Sequence, residues 1–380
     1  MGSDQCRLVF AGICGMEVAS EIFGGRIVPK GVAEILKHQS AVIAQRFPHI
    51  KNWGDVTKID WAMVLKEIAS EIHVLTAGFP CQDISIAGLR KGFKGKRSVL
   101  FYEVIRAIMA LKPRYVILEN VKALFHTDQR ATLKAVVRAM SRAGYVMDVD
   151  LLDARDDGLP MSRERMYAVA VRKDLAKHLP RRVSHRKGLA QNALDAVGYK
   201  GIGGYLSAPS VAKPSWLNDF IDRDFDPALL MTAIQRAECL KKLDSGDQVI
   251  PERWMFFPND NHGAVADTPE VFIASGVTNT LPVNGRSFGQ GGGGVRAHSA
   301  FTLTTHKGFA VAYQGIVRFL KETEMERLMG FDPGHTAVTV GGRKASYNQR
   351  MKALGNSMAI PSAARALQAV LIMEYFAAAA

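Results

Sequence analysis

The sequence predicts an α/β protein: a doubly wound, mainly parallel sheet, accompanied by a smaller, loop-rich domain. Three observations carry this. Over roughly the first 175 residues, short apolar runs alternate with amphipathic stretches, the rhythm of parallel strands joined by crossover helices. Glycine and proline end these segments, Gly78 and Pro80 after an apolar run and Gly144 after an amphipathic one. From about residue 178 to about 315 the chain turns rich in Gly, Pro and Asn and loses periodicity, with the run Gly289-Gln290-Gly291-Gly292-Gly293-Gly294 inside it.

Taken in order, Leu8-Val9-Phe10 reads as a strand and is followed by Gly12 and Gly15. Gly31-Val32-Ala33 leads to Glu34. Ile72 to Ala77 is a buried strand that Gly78 and Pro80 end. Val99 to Leu111 is helical, with Leu100, Val104, Ile108 and Leu111 on one face, and Pro113 breaks it. Tyr115 to Leu118 is a buried strand ending at Glu119. Ala131 to Ala143 is an amphipathic helix, and Met166 to Val171 is the last clear strand. Helical pattern returns at Thr323 to Met329, and a final helix spans Ser362 to Phe376 with Pro361 before it. The expected divisions are 1–177 for a first domain, 178–315 for the loop-rich one, and 316–380 for a segment returning to the first. No internal repeat interrupts this scheme.

Composition narrows the function classes. The net charge is +13, from 49 Lys and Arg against 36 Asp and Glu. A basic balance of that size points to a polyanionic partner, nucleic acid above all, although a basic soluble enzyme has the same balance. Apolar residues make up 48% and no run is long enough to cross a bilayer, so no membrane role is expected. The opening residues lack a basic region before an apolar one, so no secretion signal is expected either. Cys6, Cys14, Cys81 and Cys239 show neither metal-ligand spacing nor a disulfide framework, which predicts a reducing compartment and no metal. The closing Ala377-Ala378-Ala379-Ala380 is assigned no role.

The chemistry centres on Cys81, in Ala77-Gly78-Phe79-Pro80-Cys81-Gln82. An isolated cysteine is ordinarily a core residue. This one lies just past a strand's carboxyl end, where open α/β sheets hold their ligands. Glu119 ends a second such strand, so both reach the same rim. Arg163 and Arg165 precede a third, and alternation puts them on one side of an extended chain. A shielded carboxylate needs a partner, and arginine is the usual one. No Cys-His pair is evident, because His73 falls within a strand and His126 in a polar loop. Thiol, acid and arginines together suggest nucleophilic attack on an electron-poor ring or carbonyl.

These residues resemble the cytosine-C5 DNA methyltransferases, and the likeness covers nearly the whole chain. Phe10-Ala11-Gly12-Ile13-Cys14-Gly15 resembles the family's cofactor loop, Glu34 its ribose-binding acid, and Gly54-Asp55-Val56 its adenine-contacting segment. Phe79-Pro80-Cys81-Gln82, with Ser85, Ala87-Gly88 and Gly92, resembles the catalytic loop. Arg97, Leu100 and Phe101 fit the next motif, Glu119-Asn120-Val121 the acid motif, and Arg163-Glu164-Arg165 the Gln-x-Arg-x-Arg motif. Arg318, Glu324 and Arg327-Leu328-Met329-Gly330-Phe331 fit the segment after the recognition domain, and Leu354-Gly355-Asn356-Ser357 the final motif. Each is weak alone; their order along the chain makes the resemblance specific. Departures are Cys14 for a glycine, Leu8 for a common Asp, Met161 for the usual Gln, and Ser98 for a glycine. Cys14 would narrow the space beside the cofactor.

The resemblance implies a Rossmann-like, class I S-adenosylmethionine-dependent methyltransferase acting on one cytosine of a short sequence in double-stranded DNA. It assigns catalysis to Cys81, which would attack C6, to Glu119 against N3 and the exocyclic amine, and to Arg165 with Arg163 in support. It assigns S-adenosylmethionine, leaving as S-adenosylhomocysteine, to Phe10, Ala11, Gly12, Cys14, Gly15, Glu34, Ile35, Asp55, Val56, Pro80, Leu100, Asn356 and Ser357. Residues 1–177 become the catalytic and cofactor-binding domain and 178–315 the target-recognition domain. DNA contacts are expected from Gln82, Ser85, Arg90, Lys91 and Arg97 on a mobile basic loop, and from Gln290, Arg296 and Thr302. A monomer in a bacterial or phage-infected cytoplasm is expected; the sequence does not say whether a cognate restriction endonuclease accompanies it or whether the enzyme is solitary. Three rivals are weighed against this, the first a non-catalytic DNA-binding module, against which the intact set Cys81, Glu119 and Arg165 argues. tRNA-directed relatives tend to carry Pro-Pro-Cys-Gln and Cys-Phe-Thr, whereas this chain has Phe79-Pro80-Cys81 and no Cys-Phe-Thr. A nicotinamide-dependent oxidoreductase would share the sheet and the glycine loop, but leaves Cys81 with Glu119 unexplained.

Overall fold

The computed structural model of the chain describes residues 5–10, 12–79, 98–180, 182, 188–207, 272–277, 295–297, 300, 302–303, 308–313 and 316–379. By contacts the chain forms two units. One comprises 1–153, 164–211 and 358–380; the other comprises 154–163 and 212–357. These bounds differ from those read off composition. Residues 316–357 cluster with the second unit, and it is the final helix that returns to the first.

The first unit holds a seven-stranded sheet: β1 (Gln5–Phe10), β2 (Ile27–Ala33), β3 (Lys51–Asn52), β4 (Ile72–Gly78), β5 (Tyr115–Val121), β6 (Tyr145–Asp153) and β7 (Glu164–Arg172). Their spatial order is β3-β2-β1-β4-β5-β7-β6. The first five are mutually parallel, and β7 runs antiparallel between β5 and β6. The chain winds outward from β1 to β3, then crosses to the other side of β1 to begin β4. The carboxyl ends of β1 and β4 therefore flank the point where strand order reverses, the usual place for a ligand in such sheets.

Helices cover both faces. They are α1 (Gly15–Glu21), α2 (Lys37–Arg46), α3 (Trp61–Ile68), α4 (Ser98–Leu111), α5 (Arg130–Arg142) and α6 (Gly188–Ala196), with the long final helix Ile360–Ala378. Leu75, Ala77, Val116, Leu118, Ala168 and Ala170 pack with buried residues of α3 to α6. The final helix packs on α1 and against β5 and β7. Strands buried on both faces explain the near-continuous apolar runs Val116-Ile117-Leu118 and Ala168-Val169-Ala170-Val171. Asp60 caps α3, its Oδ1 accepting from the N–H groups of Ala62 at 2.9 Å and Met63 at 3.3 Å.

Two boundaries differ from expectation for physical reasons. The strand expected to end at Glu119 continues to Val121, because Glu119, Asn120 and Val121 pair with Tyr167, Met166 and Arg165. The final helix starts at Ile360, with Pro361 inside its first turn rather than before it. Proline is harmless there, since the N–H it lacks would have no intrahelical acceptor.

The second unit holds a four-stranded sheet of β8 (Phe272–Val277), β9 (Val295–Ala297), β10 (Gly308–Tyr313) and β11 (Ile316–Phe319) in the order β11-β10-β8-β9, all antiparallel. After it come α7 (Glu322–Leu328) and α8 (Tyr347–Asn356), with the small hairpin β12 (Thr339–Val340) and β13 (Arg343–Lys344) between them; the final helix is thus α9. A buried ion pair fastens α7 to α8: Glu326, fully shielded, accepts from Arg350 Nη2 at 2.8 Å and from the Thr336 N–H at 2.8 Å. Among the described residues no helix is long and apolar enough to cross a membrane.

Candidate active site

The site is built on the carboxyl ends of β4 and β5. Register places Gly78, the last residue of β4, directly beside Glu119 of β5. A Cβ added at Gly78 would lie 3.3 Å from Glu119 Oε2, so glycine there leaves the carboxylate its room. Phe79 follows, buried, its ring 5.0 Å from that of Phe101 in α4. The Asn120 side-chain amide donates to the Phe79 carbonyl at 2.8 Å, fastening the chain two residues before Cys81. Cys81 itself, with Pro80, Gln82, Ser85, Arg90, Lys91 and Arg97, lies outside the described residues, as do Ala11 and Gln290.

Because β7 is antiparallel to β5, its first residues come to the rim where β5 ends. Arg165 pairs with Val121, diagonal to Glu119 on the same face, and its Nε lies 3.3 Å from Glu119 Oε1. Both side chains are 15% exposed, shielded enough for the pairing to matter. Arg163 stands elsewhere. It belongs to the second unit and is 2% exposed. Its guanidinium donates to the carbonyls of Leu303 at 3.1 Å, Gly355 at 3.0 Å and Ser357. It thereby clamps the backbone on both sides of Asn356. Thr302 sits beside it, its hydroxyl donating to the Ser162 carbonyl. Arg296 lies in β9, opposite Ile273.

A second cluster forms at the ends of β1 and β2. Phe10 pairs with Ala33 on one side and Ala77 on the other. Gly12 has φ 53°, a left-handed conformation that suits glycine, and the position of its missing Cβ faces open space. Glu34 follows β2. Its Oε1 accepts from the Leu36 N–H at 2.8 Å. Burial raises the Glu34 carboxyl above its ordinary 4.5, and hydrogen bonds from the backbone of Leu36, Ile35 and Gly12 pull it only partly back. Ile35 and Leu36 are 64% and 47% exposed, an apolar surface beside an acid.

Asn52 was invisible as a site residue in the sequence. Its Oδ1 accepts from the N–H of Glu34 at 3.0 Å and of Gly54 at 3.0 Å, and its Nδ2 donates to the Glu34 carbonyl at 3.0 Å. It therefore sets the distance between Glu34 and the Gly54-Asp55-Val56 segment. An 18-residue separation between partners leaves no local pattern to read. Asp55 accepts from the Thr57 N–H at 3.0 Å and hydroxyl at 2.7 Å, and these bonds hold its carboxyl below the usual range. Val56 is buried, and Leu100 packs partly buried on the same core.

Cys14 corrects an expectation. It has φ 65°, which explains why glycine is common at this place, and it caps α1 with Gly15 as the helix's first residue. Its side chain is fully buried among Val32, Ile43, Phe47 and Ile50. The thiol fills the core instead of narrowing a ligand space.

A thiol-bearing loop anchored beside an arginine-paired acid, and a glycine turn beside a shielded acid, fit the family the sequence resembles. The match with the C-5 cytosine-specific DNA methylase family runs over residues 8–371. The chain belongs to this family.

Relatives in the family include an orphan methyltransferase of Bacillus phage SPR, 34% identical over 47% of this chain and 40% of its own length. The type II methyltransferase M.HhaI of Haemophilus parahaemolyticus is 35% identical over 44% of this chain and 49% of its own. M.NgoBI of Neisseria gonorrhoeae is 26% identical over 93% of this chain and 88% of its own. The chain thus spans less than half the length of the first two, and most of the third. Among solved structures, DNMT2 of Spodoptera frugiperda aligns with a TM-score of 0.60 at 16% identity over 97% of this chain and all of its own. Dnmt2 of S. pombe aligns with a TM-score of 0.59 at 15% identity over 98% and 99%. At such identity the likeness is one of fold.

The residues present fit S-adenosylmethionine. Glu34 is a shielded carboxylate, suited to accept from a ribose diol. Gly12 leaves open space, and Ile35 offers an apolar face to a flat ring. Among the described residues no cluster of His, Cys, Asp and Glu could hold a metal ion.

Proposed function

We propose that the chain methylates C5 of a cytosine in a short sequence of double-stranded DNA, using S-adenosylmethionine, through a covalent bond between Cys81 and C6. The observation that supports this best is the Glu119–Arg165 pair beside Gly78, three residues before the thiol.

The chemistry follows from the residue types. C5 of cytosine is a poor nucleophile. Addition of the Cys81 thiolate to C6 breaks the C5–C6 π bond and turns C5 into an enamine-like carbon. The charge this builds on the ring is taken up by a proton that Glu119 donates to N3. Arg165 keeps the Glu119 carboxyl in place and holds the base oxygen. When bound, S-adenosylmethionine would supply an electrophilic methyl group, with its thioether as the leaving group. C5 then loses its proton to a base, Cys81 leaves C6 with its bonding electrons, and the N3 proton returns to Glu119, restoring the neutral ring. The base must leave its stack first, at a cost of about a few kcal/mol. Arg90, Lys91 and Arg97 would hold phosphates, with Gln82 and Ser85 nearer the base, while Gln290, Arg296 and Thr302 would read the target. Glu34 takes the ribose, Ile35, Asp55 and Val56 the adenine, and Arg163 steadies the backbone around Asn356 and Ser357. A single flipped base needs no two-fold site, so the chain acts as a monomer, in the cytoplasm, with or without a cognate endonuclease.

The test is conversion sequencing of plasmid DNA from cells expressing the chain or its Cys81→Ala variant. One short sequence should become protected with Cys81 alone. A covalent complex should also form on duplexes carrying 5-fluorocytosine at that sequence. Absence of protection at every site refutes the proposal and turns attention to RNA.

A further inference from the structure

Arg106 in α4 is exposed over 40% of its side chain, yet two of its guanidinium nitrogens are engaged with a distant part of the chain. Nη2 donates to the Val56 carbonyl at 2.7 Å and Nη1 to the Ile59 carbonyl at 2.8 Å. Nε donates to Glu103 Oε2 at 2.5 Å, one helical turn earlier, and Glu103 is only 14% exposed. The guanidinium also lies 5.8 Å from the centre of the Trp61 ring. Four constraints on one planar group leave it a single orientation.

What it grips is the single 3-10 turn Val56–Lys58. One of its own bonds is of ordinary length, the Lys58 N–H to the Asp55 carbonyl at 2.9 Å, but its last is not: the Ile59 N–H reaches the Val56 carbonyl only at 3.4 Å, at the edge of hydrogen-bonding distance. Arg106 bridges the same two residues with two short bonds. Asp55 immediately precedes the turn, and its carboxylate is aimed by Thr57 within it. Leu100 stands on α4 six residues before Arg106. Asp55 and Val56 are assigned above to the adenine of the cofactor, and Leu100 to the cofactor site.

We propose that Arg106, oriented by Glu103, is a positioning residue that sets the adenine subsite by locking the 55–59 turn to α4. This rests on the proposed cofactor reading, and it assigns the pair a specific effect: affinity for the cofactor, with the handling of DNA left unchanged. A helix-surface arginine that merely adds stability would have no such selectivity.

The experiment measures S-adenosylhomocysteine binding by calorimetry, together with KM for S-adenosylmethionine, KM for DNA, and kcat, in the full chain. Arg106→Gln should weaken binding roughly tenfold, ~1.4 kcal/mol, with KM for DNA within twofold of the parent. Arg106→Lys, whose ammonium can reach one carbonyl at a time, should fall between them and serves if the glutamine variant does not fold. Ile108→Val, a core trim in the same helix, is the stability-matched comparison and should leave cofactor binding intact. Equal binding by parent and Arg106 variants overturns the proposal, and so does an equal loss in Ile108→Val. If the parent itself binds no S-adenosylhomocysteine, it is the cofactor reading that fails.

Discussion

Replacing Glu119 by Gln separates the acid's chemistry from its contribution to the fold. The Glu119–Arg165 pair is 3.3 Å apart with both side chains 15% exposed. At an effective dielectric constant of about 20, charges at that distance attract by about 5 kcal/mol before desolvation is subtracted. Most of that gain is offset by removing both ions from water, and a hydrogen bond to a charged group nets about 1.5–3 kcal/mol. Glutamine keeps the shape and an acceptor oxygen for Arg165 Nε, so the loss of stability should be about 1–2 kcal/mol, a few degrees in melting temperature. Catalysis should suffer more. An amide cannot deliver a proton to N3, and a positioned acid or base contributes about 10²–10⁴-fold, ~3–5.5 kcal/mol of barrier. Single-turnover transfer of labelled methyl groups, with DNA and cofactor saturating and well below the melting temperature, should therefore fall at least 100-fold while circular dichroism stays native. A rate within fivefold of the parent in a folded variant would falsify the role of Glu119 as proton carrier.

Further outcomes follow from the same geometry. A Cβ at Gly31 would lie 1.7 Å from Cζ3 of Trp53, so Gly31→Ala must displace the indole. It should cost about 1–3 kcal/mol by denaturant melting, and an unchanged midpoint would show that the ring moves freely. Arg350→Met strands the fully buried Glu326 and should destabilise by about 3–5 kcal/mol; a loss below about 1 kcal/mol would mean the pair is solvated. Because burial raises the Glu34 carboxyl above 4.5, its favourable contribution is present below 4.5 and is lost as pH rises through its higher folded value. Glu34→Gln should therefore stabilise the unliganded protein at pH 8 more than at pH 4, while weakening S-adenosylhomocysteine binding. A pH-independent stability difference between Glu34→Gln and the parent contradicts this.

Much of the framework was legible because it depends on local pattern. Apolar runs ending at Gly78 and Glu119 marked strands buried on both faces, and the i, i+4 repeat from Leu100 to Ile108 marked α4. The glycine turn after β1 could be read for the same reason, since φ 53° at Gly12 restricts the residue types that fit. Direction and partnership were less visible. A strand's residues do not state which way it runs in the sheet, and β7 turned out antiparallel. That reversal brings Arg165 to Glu119, while Arg163, two residues earlier, falls in the other unit and clamps Gly355 and Ser357.

By itself, then, the sequence determined the fold class and the order of the chemical groups, with Cys81, Glu119 and Arg165 each at a strand's edge. Both follow from hydrophobic periodicity and from residue chemistry, which are properties of neighbours along the chain. Only the tertiary structure decided the pairings: Gly78 beside Glu119, Asn120 on Phe79, Asn52 between Glu34 and Gly54, and Arg106 on the turn after Asp55. Apart from Asn52 with Gly54, these join residues 18 to 50 positions apart. Such contacts come from strand register and helix packing, which are settled when the whole core closes and leave no mark in the residues on either side.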